Sequence, residues 1–185
     1  ALHIMNTKKG TFFLADTLFN RHPSTETLLD IAKLTYRTVK LFAHEPVMAM
    51  LSYSNFGSDK QGSPASVHEV VATLHREYPE MIVDGEMQVN FALNKELRDK
   101  KYPFSKLAGK DVNTLIFPNL SSANTAYKIL LEMGLAESIG PIQMGLNKPV
   151  HILDVESSVR DIINMTTIAV IDAVLEEQKN SGKVS

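Results

Sequence analysis

The chain has 185 residues, 44% hydrophobic and 22% charged, an ordinary composition for a globular protein able to bury a sizeable core. Its 19 basic and 21 acidic residues give a net charge of −2, and its densest basic run, Arg98-Asp99-Lys100-Lys101, is broken by acid, so no nucleic-acid footprint is expected. With no cysteine, disulfides, thiolate catalysis and cysteine zinc sites are excluded, which fits a reducing cytoplasm.

In chain order, residues 1–10 lack a long apolar core behind a basic start, so no signal peptide is expected. Thr11-Phe12-Phe13-Leu14-Ala15-Asp16 has the pattern of a buried strand ending in an acid. Pro23-Ser24-Thr25-Glu26 opens a helix that carries Leu28, Leu29, Ile31, Ala32, Leu34, Val39 and Leu41 at helical spacing. Residues 46–52 form a second buried strand, and the polar stretch 53–64 has the length of a functional loop. A helix follows over 65–78 and ends at Pro79. Residues 81–84 form a third strand, leading through Gly85 into a helix towards Arg98. Thr114-Leu115-Ile116-Phe117 is a fourth strand, stopped by Pro118, and the helix over 121–133 stops at Gly134. Residues 138–144 and 150–153 are two further strands, and 158–177 is the last helix. The polar tail 179–185 is expected to fray.

Strands alternating with helices give an α/β fold, a largely parallel sheet sandwiched by helices. Ligands of such sheets sit beyond the carboxyl ends of the strands, where the loops 53–58, 84–88 and 118–124 would lie. The last helix is apolar on most sides, through Val159, Ile162, Ile163, Met165, Ile168, Val170, Ile171 and Val174 among others. A helix of that kind is buried on most sides, which asks for more protein around it. Its most apolar part, 162–175, contains Asn164, Asp172 and two threonines and is shorter than the roughly 20 residues of a membrane span. No membrane partner is expected.

The chemistry-bearing segments each carry two readings. The nine glycines form neither GxGxxG nor a Walker loop, and the six histidines form no metal set; His68 and His75 share a helix face without further ligands. In Leu51-Ser52-Tyr53-Ser54-Asn55-Phe56-Gly57-Ser58, hydroxyls, an amide and a glycine offer small donors and close backbone approach to an anion; a plain polar loop is the alternative. In Asp84-Gly85-Glu86-Met87-Gln88, Asp84 would orient a ligand hydroxyl or amine, or cap the following helix. The serines and asparagines around Ser121, Ser122 and Asn124 suit an N-cap, or an anion at the same helix end. Ser158-Val159-Arg160-Asp161 resembles a capping box, while Asp161 is also a carboxylate placed as a general base.

Taken together, LSYSNFGS, DGEMQ and FPNLSSANTAYK…IGPIQMGLNKPVHIL resemble, in order and spacing, the phosphate acetyltransferase family over about residues 11–177. NFGS, PVHIL and SSVRDIINM are most similar to the C-terminal region of bacterial hybrid NADP-dependent malic enzymes. The resemblance implies a two-lobed α/β unit with a cleft between lobes. Residues 1–143 would form the distal lobe, and 144–185 a return segment belonging to a first lobe that, like the malic enzyme core, the match does not include. It also implies a cytoplasmic homo-oligomer dimerising through this lobe.

Carried over by position, the family's base matches Asp161, but its serine and arginine correspond to Asp154 and Val155, with Glu156 following. Transfer to phosphate needs cationic and hydrogen-bonding groups on a developing oxyanion, and losing one such donor costs about 10²- to 10³-fold in rate. The expected function is therefore regulatory, with no catalytic residue, no metal and no cofactor in this chain. Ser54, Asn55, Gly57, Ser58, Asp84, Asn124 and Asp161 would line a site for acetyl-CoA. NADP and a divalent metal would serve malate decarboxylation elsewhere in the protein. The rival readings are an active phosphate acetyltransferase using Asp161, and a purely structural oligomerisation module.

Overall fold

The computed structural model describes residues 1–180 of the chain. Six strands form one sheet: β1 (Leu2–Thr7), β2 (Gly10–Ala15), β3 (Val47–Leu51), β4 (Ile82–Met87), β5 (Thr114–Ile116) and β6 (Ala136–Ile142). Their order across the sheet is β4-β3-β5-β2-β1-β6. The four strands β4, β3, β5 and β2 are mutually parallel, while β1 runs antiparallel to both β2 and β6. The helices are α1 (Thr25–Leu41), α2 (Gly62–Glu77), α3 (Val89–Leu93), α4 (Lys95–Lys101), α5 (Leu120–Glu132) and α6 (Val159–Asn180).

Alternation along the buried strands assigns the two faces. Met48 and Met50 of β3 point to one side, where Leu28, Ile31, Val67, Val70 and Leu74 of α1 and α2 pack on them. Ala49 and Leu51 point to the other, into a cluster with Met87, Ala92, Leu107, Leu115 and Ala123 from the α3 and α5 side. A third cluster, Leu2, Ile4, Phe13, Val39, Ile142 and Met165, joins the antiparallel edge to α1 and α6. Helix ends follow the expected chemistry. Ser24 caps α1 by accepting from Thr27 N–H, and Gly134, at φ +64°, stops α5.

The sheet differs from expectation in three places. The hairpin strand β1 was not foreseen; its Lys8-Lys9 turn brings Thr7 opposite Gly10, and alternate residues Leu2 and Ile4 enter the core although His3 lies between them. Residues 150–153 form no strand, because no strand pairs with them, and Val150, Ile152 and Leu153 are exposed. The helix expected from Gly85 to Arg98 is instead the end of β4 followed by two short helices that meet at Asn94, the C-cap of α3 and the N-cap of α4. The polar tail is helical to Asn180; the rest of that expected frayed segment lies outside the described residues. Within this chain α6 buries Met165 but leaves Val159, Ile162, Ile163, Val170, Ile171 and Val174 exposed.

A buried arginine holds the two short helices. Arg98 is fully enclosed, and its guanidinium donates to the carbonyls of Phe91, Ala92, Leu107 and Lys110, with Asp99 Oδ1 at 3.5 Å from Nε. It thereby satisfies the C-terminal carbonyls of α3 and closes the loop that leads to β5. Replacing it strips donors from four carbonyls at once. Arg98→Ala is expected to cost about 2–4 kcal/mol in urea denaturation, with Arg98→Lys recovering only part because an ammonium lacks the planar fork.

His3 gives the fold a pH dependence. Its ring stacks on Tyr127 at 4.4 Å, its Nδ1 lies 2.7 Å from Thr17 Oγ1, and burial lowers its pKa from 6.5 to about 4. A histidine held neutral contributes stability that is present above its unfolded value and lost as pH falls through the folded one. Stability should therefore drop between pH 6.5 and 4, by up to about 3 kcal/mol from this group. Denaturant midpoints measured across that window should show the drop, and His3→Gln should flatten it.

Candidate functional site

The carboxyl ends of the parallel strands carry two of the three expected loops, 53–58 after β3 and 118–124 after β5, whereas residues 84–87 belong to β4 itself. Where β3 and β4 end, their register slips: Met50 faces Gly85, but Leu51 faces Met87, so Glu86 is an extra residue in the ladder. Gly85 makes this bulge feasible. Its φ is +149°, and a Cβ there would lie 2.5 Å from the Met50 carbonyl oxygen, so only glycine fits.

The bulge turns the Glu86 side chain under the 52–59 loop, where it is 0% exposed. Gly57 N–H donates to Glu86 Oε1 at 2.6 Å, Ser54 Oγ donates to the same oxygen at 3.2 Å, and His68 Nδ1 approaches Oε2 at 3.2 Å. Phe56 N–H donates to the Glu86 backbone carbonyl at 2.8 Å. The loop closes on itself as well. Ser54 Oγ meets Ser58 Oγ at 2.8 Å and accepts from Asp59 N–H, and Asn55 Oδ1 accepts from Gln88 N–H. Ser54, Asn55, Gly57 and Ser58 are thus brought together, with their polar groups engaged inside the loop.

Asp84 lies on β4, beside this network but not in it. Its Oδ2 accepts from Ser105 Oγ and Lys106 N–H, both at 2.7 Å, and Oδ1 accepts from Gly85 N–H. The helix-capping reading of Asp84 fails because β4 continues to Met87 and Gln88 is the N-cap of α3. It anchors the 102–107 turn instead. Phe104 and Tyr102 of that turn pack on Phe56, which ties the two loops together. At α5, Asn119 rather than Ser121 or Ser122 is the N-cap, accepting from Ser122 N–H; Asn124 follows in the helix, half-buried.

The last expected group lies apart. Asp161 opens α6, which packs against β6 at the opposite edge of the sheet from β4. Its Oδ2 accepts from Ser158 Oγ at 2.7 Å and Ser158 N–H at 2.9 Å, and Asp161 N–H donates back to Ser158 Oγ, a reciprocal cap. These two Ser158 bonds hold its carboxyl below the ordinary carboxylate pKa. Asp154, Val155 and Glu156, just before the helix, are exposed.

A cavity of about 240 Å³ between α1, residues 142–149 and α6 is lined by none of the expected ligand residues. Among the described residues no group of three or more His, Asp or Glu side chains could hold a metal ion, and no helix is long and apolar enough to cross a membrane. Sequence reasoning passed over Glu86. The signal was Gly85 set between two acids in an apolar strand pattern, a mark of a bulge or close backbone approach.

Relatives match this architecture throughout. A solved phosphotransacetylase from Streptococcus pyogenes superposes with a TM-score of 0.87 at 36% identity, over 94% of this chain and 53% of that one. The NADP-dependent malic enzyme of Salmonella typhimurium is 37% identical over 174 residues, 94% of this chain and 23% of the relative. The phosphate acetyltransferase of Bacillus subtilis is 34% identical, over 94% of this chain and 58% of the relative. The chain therefore spans about a quarter of the malic enzyme and somewhat over half of the phosphate acetyltransferase. With the family model phosphate acetyl/butaryl transferase matching residues 1–170, the chain belongs to that family.

Proposed function

We propose that the chain is the distal part of a regulatory acyl-CoA/phosphate-transferase-like domain of a malic enzyme, one that responds to acetyl-CoA and has lost transferase chemistry. The observation that carries this reading is the state of Asp161. Both of its close hydrogen bonds serve the start of α6, and they depress its pKa, which weakens it as a base. The residues that would help it are acidic or apolar: Asp154, Val155 and Glu156 bring negative charge where a phosphate would need cations.

In this reading residues 144–185 return to a first lobe outside this chain, and the cleft between lobes takes the acyl-CoA. Oxidative decarboxylation of malate to pyruvate with NADP and a divalent metal belongs to the rest of the protein. The residues described above fit neither group, having no ligand cluster and no glycine-rich dinucleotide loop. The cytoplasm and a homodimer built on this lobe complete the reading.

A second reading, a purely structural oligomerisation module, is favoured by the uncovered apolar side of α6, where Val159, Ile163 and Val170 are exposed. Both can be separated in the intact protein. Titrating acetyl-CoA should release binding heat and change the rate of malate oxidation, with no acetyl phosphate formed from acetyl-CoA and phosphate. Acetyl phosphate production would restore the transferase reading. An enzyme that ignores acetyl-CoA but dissociates on Ile163→Asp would instead be held together, not regulated, by this domain.

A further inference from the structure

The tip of the 52–59 loop has an uncommon backbone. Phe56, which is not glycine, sits at φ +47°, and Gly57 follows at φ +81°. Left-handed backbone strains a residue with a side chain, such as Phe56, whereas glycine adopts it freely, so the surroundings must hold Phe56 in place. Here both are fixed by one residue. Phe56 N–H binds the Glu86 backbone carbonyl and Gly57 N–H binds the Glu86 carboxylate. Phe56 N–H and Gly57 N–H thus meet two different acceptors of one residue, its backbone carbonyl and its side-chain carboxyl.

We infer that Glu86 is a positioning residue: its side-chain carboxyl, delivered by the β4 bulge, is an internal hydrogen-bond acceptor that locks the 52–59 loop in its left-handed shape. The lock has three points. Oε1 holds Gly57 N–H and Ser54 Oγ, Oε2 faces the exposed His68 ring, and Ser54 passes the restraint to Ser58 and Asp59. A carboxylate removed from water keeps these donors because it has nothing else to bind. The loop is thereby ordered before any ligand arrives. In functional terms this rests on the reading of the loop as one wall of the acetyl-CoA cleft.

The test compares Glu86→Ala, Glu86→Gln and Ser54→Ala in the intact protein by amide hydrogen exchange and acetyl-CoA titration. Glu86→Ala should speed exchange at Gly57 and Asp59 about tenfold or more, while Lys106 and Leu107, held by Asp84 and Ser105, stay as they were. Glu86→Gln retains an oxygen for Gly57 and Ser54 and should recover most of that protection together with acetyl-CoA affinity. Should Glu86→Ala not fold, Ser54→Ala must still loosen Asp59. Unchanged loop exchange in the alanine variants, or a glutamine variant as loose as alanine, overturns the inference. If the wild-type protein binds no acetyl-CoA, the proposed function falls, and the exchange arm alone decides the role of Glu86.

Discussion

A carboxylate taken wholly out of water must be ringed by donors, and the functional edge of this sheet is arranged around that requirement. Glu86 reaches its place only because β4 carries one residue too many against β3, and β4 can carry it only because Gly85 passes close under the Met50 carbonyl. From there the dependence runs outward. The loop after β3 has the N–H groups of Phe56 and Gly57 committed to Glu86, the Ser54 and Ser58 hydroxyls to one another, and its Phe56 ring to the turn that Asp84 anchors. Two neighbouring acids on one strand thus organise two different loops.

The two anchors differ in kind. Asp84 and Glu86 each gather hydroxyl and backbone N–H donors round a buried carboxyl, with His75 at 3.8 Å from the first and His68 at 3.2 Å from the second. Arg98 does the converse, gathering carbonyls round a buried cation. Such charges are poor sources of net stability but strong sources of uniqueness, since few alternative packings would satisfy them. The surrounding apolar layers are more forgiving: Met48 and Met50 on one face and Met87 on the other line the sheet, and unbranched side chains adapt to small shifts.

Most of the fold was legible because periodicity reports burial. The strands around Leu14, Met48, Val83 and Leu115 are short apolar runs, and α1, α2 and α5 show helical spacing with stops at Tyr78 and Gly134. The failures have physical causes. β1 hid behind the polar letters of His3 and Asn6, the former buried by stacking on Tyr127 rather than by being apolar. The apolar run at 150–153 announced a strand, but a strand also needs an open sheet edge beside it. At the site, the loop residues were found by type, whereas their real arrangement was set by a bulge, a pairing offset that no single-residue propensity encodes. Asp161 was readable both ways, and the capping box was the geometry its spacing dictated.

The uncovered side of α6 has a consequence in the cell as well as in the fold. Val159, Ile163, Val170 and Val174 present an apolar stripe of the sort that chaperones and other nascent chains recognise. A surface laid over that stripe would remove it from such recognition.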